Sequence, residues 1–425
     1  MSTTLPAVPS STLEDDVRPG RRPARFLGLA LGGLLLLVLA RYAVGAPGIT
    51  ASATWGSALR LTVPILVVAL GGLYCERAGV INVGLEGMMV AGTWTGGLCG
   101  WHFGPWAALL GGMLGGLLVG AMMAFLCVEL GLNQLVVGVA VNVVAAAAAR
   151  FCSEIAFQGV DGGTIARSPR IDGALPEVGI PFLSGGFGTA DALASLERAN
   201  LPVLSQFAGI VGGLTRDVSL AALIGLALVP ASAYLLWRTP FGLHWRAAGE
   251  EPAALTALGG HVQRTRWIAV CTGGALAGFA GGYLVLVSRA YVEGQTAGRG
   301  FIGLATLIFG NWTPSGLSAG AALFGLSDAV GLGRPETFRA LLLVLGVVFA
   351  GLGVARLRSA GVRPALAPLL LGTAVLVVVA VVPLPAELPT AAPYLVTLAV
   401  LVVSGRTMRP PAALGRFVPR RTSRS

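Results

Sequence analysis

Apolar stretches long enough to cross a bilayer recur along almost the whole chain, separated by short polar joints. Hydrocarbon offers backbone N–H and C=O groups no partners, so a run of about 17–25 apolar residues must coil into a helix that satisfies them internally. The candidate spans fall at 26–45, 58–74, 85–100, 105–128, 135–150, 218–237, 267–288, 339–355, 365–383 and 391–405, with two shorter segments over 301–331. The predicted fold class is therefore all-α: a polytopic membrane helix bundle of about 10–12 spans, including a broken or re-entrant pair. The length rule that would divide 425 residues into two or three soluble domains does not apply.

Composition agrees, with 55% hydrophobic and only 11% charged residues. Glycine is a poor residue in soluble helices, but in lipid it lets helix backbones approach closely. Gly111, Gly112, Gly115, Gly116 and Gly120 repeat at the spacing of a helix face, and Gly273, Gly274, Gly278, Gly281 and Gly282 do so later. The residues between them are Leu, Met, Val and Phe, so these read as packing seams rather than flexible linkers.

All 29 basic residues are arginine. With no lysine, no Walker A motif exists to hold nucleotide phosphates. The net charge of +10 sits at span ends rather than on a soluble domain, which speaks against a nucleic-acid partner. Four basic regions stand out: the arm 1–25, the loop 238–266, the joint with Arg356, Arg358 and Arg363, and the tail 406–425. All four share one side if 301–331 crosses inward and back, which predicts that both termini are cytoplasmic. The arm and the run from Phe26 also fit a signal peptide cleaved near Ala46; the run is long enough to be a retained span. Residues 26–405 are then the transmembrane domain.

The segment 151–217 is predicted to lie outside. It is rich in acids, with weak apolar patches at 178–186 and 199–214 that suit surface helices. The five cysteines lack CxxC spacing and the three histidines are scattered, so neither a disulfide frame nor a metal site is expected. No HExxH or GxSxG motif suggests an intramembrane enzyme, and no catalytic residue is assigned.

Polar groups at membrane depth are costly unless buried in protein or facing water, so each is a candidate. Glu76-Arg-Ala-Gly-Val-Ile-Asn-Val-Gly-Leu-Glu-Gly-Met-Met89 places Glu76, Arg77, Asn82 and Glu86 between two spans, with Gly79, Gly84 and Gly87 loosening any helix. Broken helices at mid-membrane are how transporters build sites; the alternative is a solvated loop with Glu76 and Arg77 as an exposed pair. Gln134 and Asn142 lie ~80° apart on a helical wheel, where they can line a path or bond neighbouring helices. Asn311 and Trp312 mark the break in the paired segments. The substrate-path candidates are thus Asn82, Glu86, Gln134, Asn142, Asn311 and Trp312. In the loop 238–266, Pro252 is placed for the first turn of a short helix flanked by glycines, a shape suited to docking on another protein.

Three stretches together resemble a known family: Glu76 to Met89, Phe241 to Gly259, and Gly298 to Gly310 running on to Asp328. They are similar to the permease subunits of bacterial ABC importers in the ribose, galactose and branched-chain amino-acid permease superfamily, nearest the branch serving nucleosides or simple sugars. The resemblance covers roughly residues 58–350 and leaves out the acidic outer segment and the basic tail. It implies a type II ABC importer-like bundle in the bacterial cytoplasmic membrane. It further implies that Gly249, Glu250, Glu251, Ala253, Ala254 and Gly259 couple to a separate ATPase, with ATP and Mg bound there and no cofactor on this chain. Glu251 stands where an asparagine is common, and Gly260-His261 replaces a more apolar pair. A second, often non-identical permease subunit and an extracytoplasmic substrate-binding lipoprotein are the other implied partners.

The scarcity of charge along the path favours a neutral, hydroxyl-bearing solute: a nucleoside first, then a simple sugar, then a branched-chain amino acid. The rival reading is a secondary transporter with Glu86 or Asp328 as a proton relay, which would have no use for a projecting docking helix.

Overall fold

Each apolar window from 26–45 to 365–383 becomes a helix that outruns it at one end or both, because the backbone ladder continues through the polar residues flanking hydrocarbon. The computed structural model describes residues 22–199, 201–381, 388–391 and 408–418. Nearly all of the expected span 391–405, most of the arm 1–25 and the two ends of the tail 406–425 lie outside them. In chain order the helices are α1 (Arg22–Val44), α2 (Ser52–Arg77), α3 (Leu85–Phe103), α4 (Pro105–Ala124), α5 (Gln134–Phe157), α6 (Ala192–Arg198), α7 (Leu204–Thr215) and α8 (Leu220–Arg238). They continue with α9 (Pro240–Glu250), α10 (Pro252–Ala257), α11 (Val262–Ser288), α12 (Arg299–Phe309), α13 (Pro314–Gly331), α14 (Pro335–Ala360) and α15 (Val362–Val381).

Among the described residues seven helices are long and apolar enough to cross a membrane: α2, α4 with its π-helical extension Phe125–Glu129, α5, α8, α11, α14 and α15. The chain is an all-α polytopic bundle. Its centre is α2 and α11, both mostly buried, whereas α5, α8, α14 and α15 keep most of their surface outward.

The packing inverts the rule for soluble helices. On α4, Gly112, Gly116 and Gly120 face the bundle, while Leu110, Leu114 and Leu118 stay exposed. The inward glycines meet Gly274, Gly278 and Gly282 of α11; a Cβ on Gly116 would stand 2.2 Å from the Gly274 carbonyl oxygen. Part of each glycine run seen in the sequence thus forms one side of this seam, while Gly111 and Gly115 face α3, Gly273 faces α2 and Gly281 faces α3; exposed leucine on the far face of α4 is what lipid accommodates at no cost.

Helix α1 packs on α14, joining Ala40, Ala46 and Ile49 to Val330, Phe338 and Leu341 in a cluster of its own. Of the two apolar patches after α5, 199–214 supplies α7, which packs on α2, whereas 178–186 runs through turns; α6 lies between them and packs on α7. Asp191 caps α6 by accepting from the Ala194 N–H at 2.7 Å and pairs with Arg216 at 2.7 Å. The one short ribbon described, β1 (Glu177–Val178) with β2 (Val218–Ser219), ties this segment to the start of α8.

Candidate functional site

Two breaks in the helical pattern meet the docking loop at one face of the bundle. The first is the stretch between α2 and α3, which leaves helical geometry at Gly79 with φ +91° and resumes at Leu85. Its polar backbone is gripped from α5 by two residues about two turns apart. Gln134 accepts from the Ile81 N–H at 2.7 Å, Asn142 accepts from the Gly87 N–H at 2.8 Å, and the Asn142 amide donates to the Val83 carbonyl at 3.0 Å. Between them Gly138 lets α5 lie against Val83 and Gly84. Asn82 is fully buried, its amide nitrogen near the sulfurs of Cys75 and Met88 and its Oδ1 without a hydrogen-bond partner among the described residues.

The second break is between α12 and α13, where Asn311 and Trp312 both take positive φ, +52° and +54°. Helix α12 has 11 residues, roughly 16 Å of rise, so it traverses only about half a hydrocarbon core. Its N-terminus is held by Glu86, whose carboxylate accepts from Gly298 N–H at 3.1 Å and Gly300 N–H at 2.6 Å. A carboxylate at a helix N-terminus satisfies donors that have no partner in the helix and meets the positive end of its dipole. Asp328 of α13 is paired with Arg299 in the first turn of α12.

At the other end of α12 the breaks converge. The Trp312 indole donates to the Glu76 carboxylate, and the Arg77 guanidinium donates to the Trp312 carbonyl at 3.0 and 2.7 Å. Arg77 also reaches Glu250 at 3.4 Å, at the end of α9. Glu76 is only 3% exposed and the Arg77 side chain 14%, so the reading of these two as a solvated pair is removed.

The loop 238–266, expected from the sequence to dock on a partner, forms two helices rather than one. Gly249 and Glu250 close α9, Glu251 is the extended link, and Pro252 opens α10, which carries Ala253 and Ala254 and runs toward Gly259. Proline at the first helical position loses no hydrogen bond, which is why a new helix starts there. On α10 Leu255 is buried against Ala248 and Val262, while Ala253, Ala254 and Leu258 face outward, Leu258 with 85% of its surface exposed.

Arg266 was legible only as one more basic loop residue. It is 3% exposed in the first turns of α11, and its guanidinium donates to the carbonyls of Ala78 at 3.1 Å and Ala248 at 3.3 Å. It thus staples the α2–α3 break to α9. Nothing in its sequence surroundings separates it from its neighbour Arg264. The structure therefore brings Asn82, Gln134 and Asn142 together around one break, sets Glu86 at the top of α12, and places Asn311 and Trp312 beside the docking helices. Two cavities open along α2 beyond these residues. One of about 530 Å³ includes Trp55, Thr62, Leu66, Pro230 and Ser318 in its wall; another of about 300 Å³ includes Arg60, Ser219 and the buried Tyr283.

A long central helix, two broken helices and an exposed elbow suit a solute conduit worked from outside the bilayer. The sequence pattern of the family described as "Branched-chain amino acid transport system / permease component" matches residues 55–352. The chain belongs to that permease family. It is 31% identical over 277 residues to the guanosine ABC transporter permease protein NupQ of Bacillus subtilis, covering 63% of this chain and 78% of that one. The nucleoside ABC transporter permease protein NupC of Lactococcus lactis is 31% identical over 272 residues, 62% of this chain and 77% of its own. A Haloferax volcanii protein provisionally named a glucose ABC transporter permease is 31% identical over 273 residues, 63% and 73% of the two chains. No solved structure matches this chain.

Proposed function

We propose that this permease forms the membrane path of an ATP-driven importer for a neutral solute, a nucleoside by preference. It would sit in a bacterial cytoplasmic membrane with both termini inside. Likeness to two permeases named for nucleosides, each over more than three quarters of its length, carries this reading. The likeness to a permease named for glucose supports a simple sugar as the second choice.

In this mechanism a separate ATPase, holding ATP and Mg, seats against the exposed face of α10, while a binding lipoprotein delivers solute at the opposite face. A second permease subunit completes the conduit. Closure of the ATPase displaces α10 and, through Glu251, the Gly249–Glu250 end of α9. Glu250 pulls on Arg77, and Arg77 on the Trp312 carbonyl, so the α12–α13 break moves with the elbow. Asn82, Glu86, Gln134 and Asn142 hold the broken segments that close the inner end of the path. Solute must bind the two states of this gate unequally, or ATP hydrolysis moves nothing.

The deciding experiment reconstitutes the permease with its ATPase, lipoprotein and sister subunit in proteoliposomes and follows labelled guanosine, uridine, ribose and leucine. Uptake of nucleosides that requires ATP inside is expected. Uptake sustained by a proton gradient without ATP would overturn the proposal, and a preference for ribose would move it to the sugar reading.

A further inference from the structure

Residues 408–418 lie outside the 55–352 family match, yet they are seated among the joints just described. Pro410 and Pro411 have no N–H and fix φ; the Leu414 and Arg416 N–H groups bond back within the segment, and those of Arg409, Ala412, Ala413 and Gly415 turn outward to other parts of the chain. The Arg409 N–H donates to Asn311 Oδ1 at 2.7 Å, in the α12–α13 break. The Ala412 N–H donates to Glu250 Oε2 at 3.1 Å, and the Ala413 N–H to the Gly249 carbonyl at 2.8 Å, both at the end of α9. The Gly415 N–H reaches the Gly79 carbonyl at 3.0 Å, in the α2–α3 break. Arg266 donates to the Arg416 carbonyl, and Gln263 to the Val418 carbonyl at 3.2 Å, both from the start of α11. Ala413 is buried, and the Phe417 ring closes over Gly131.

One short run of chain thus touches both helix breaks, the elbow and the central helix α11. It does so without covering the docking face. Val418 packs with Ala248, Leu255 and Val262 on the buried side of α10, while Ala253, Ala254 and Leu258 stay exposed. An inhibitory plug would occupy that outer face; this segment backs it instead.

We propose that residues 408–418 are a transmission strap, carrying displacement of α9–α10 to the α12–α13 and α2–α3 breaks in parallel with the Glu250–Arg77–Trp312 route. The proposal rests on the reading of α10 as the ATPase-docking element. A Pro-Pro pair between Arg409 and Ala412 makes the link stiff, so movement at Gly249 is passed to Asn311 rather than absorbed. The positions that matter are Arg409, Ala412 and Ala413 as donors, and Asn311, Glu250 and Gly249 as their respective acceptors.

The test uses the full reconstituted importer with two variants. Ala413→Arg expels the strap, and a Gly-Ser-Gly insertion between Pro411 and Ala412 keeps its contacts but slackens it. Three quantities are read: co-purification of the ATPase, ATP hydrolysis, and uptake per ATP hydrolysed. Hydrogen exchange of the amides around Asn311 is read alongside. Both variants should retain the ATPase and its hydrolysis, while uptake per ATP falls by about tenfold or more. Faster exchange around Asn311 is expected in Ala413→Arg. Uptake per ATP unchanged in the insertion variant would overturn transmission. Loss of the ATPase from both variants would also overturn it, making the strap a docking surface. A native importer that moves no nucleoside tests the solute assignment alone, because the exchange readout still reports on the strap.

Discussion

Trp312 donates its indole N–H to the carboxylate of Glu76 across 236 positions of chain, joining the α12–α13 break to the last turn of α2. Arg77 returns the contact by donating to the Trp312 carbonyl. Two residues adjacent in sequence therefore clamp one residue from both its side chain and its backbone, where the conduit is proposed to close.

Removing the indole donor leaves a buried carboxylate without its partner, which costs more than the bond itself was worth. Trp312→Phe should destabilise the protein by about 2–3 kcal/mol, and adding Glu76→Gln should recover part of the loss by removing the charge. Thermal unfolding of both single variants and the double variant in detergent measures this coupling. Additive losses would show that the pair is not an energetic unit.

The glycine seam gives a sharper steric prediction. At Gly116 a Cβ meets the Gly274 carbonyl oxygen at 2.2 Å, whereas at Gly351 nothing lies within 4 Å. Gly116→Leu should abolish recovery of monodisperse protein, because backbone rather than a movable side chain stands in the way. Gly351→Leu should be recovered at close to native yield, and the comparison is read by gel filtration of fluorescent fusions.

Glu86 separates the importer from a proton relay. As a cap on α12 it accepts through both carboxylate oxygens, Oε1 from the Gly298 N–H and Oε2 from the Gly300 N–H, a role that needs no proton transfer and of which glutamine keeps one acceptor. Glu86→Gln should keep most ATP-dependent uptake, while Glu86→Ala should lose about 1–2 kcal/mol of stability by leaving the Gly298 and Gly300 donors unmet. Complete loss of uptake in a stable Glu86→Gln protein would assign the residue to solute or proton handling.

Glu251 is exposed on the link between α9 and α10, and its side chain makes no cap there. Glu251→Arg should prevent co-purification of the ATPase while membrane insertion and thermal stability stay near native. Normal recovery of the ATPase would remove Glu251 from the docking role.

The segment between α5 and α8 should respond to acid through Asp191. Partial burial pushes its carboxyl upward, but the hydrogen bonds from Arg216 and the Ala194 N–H, together with the charges of Arg216 and Arg198, hold it below the usual carboxylate range. A folded value below the unfolded one gives stabilisation that is complete above about pH 4 and lost as pH falls through the folded value. Exchange protection of α6 should therefore decline below about pH 4 in the native protein, and Asp191→Asn should flatten that dependence.

Much of the architecture was legible one segment at a time. Apolar length located the spans, and glycine spacing located the seam between α4 and α11 without saying which run faced which. Pro252 located the start of α10, but not the earlier helix that ends at Glu250, because Gly249 and the adjacent acids read equally well as a loop. Gln134 and Asn142 were open to two readings; their hydrogen bonds go to the backbone of the α2–α3 break, a pairing that depends on which helix lies beside α5.

The sequence by itself determined that this chain is a helical membrane protein, since hydrocarbon imposes helix on every long apolar run and arginine marks the joints between them; its membership of the permease family rests on the residue pattern over 55–352. Only the tertiary structure decided how the joints are wired. Glu76 and Trp312, Arg266 and Ala78, Ala413 and Gly249 are far apart in the chain, and each bond exists because the packed bundle brings two distant segments to one face. A helix period records which side of a segment is apolar, but it carries no information about which distant backbone group will lie within reach of a buried polar side chain.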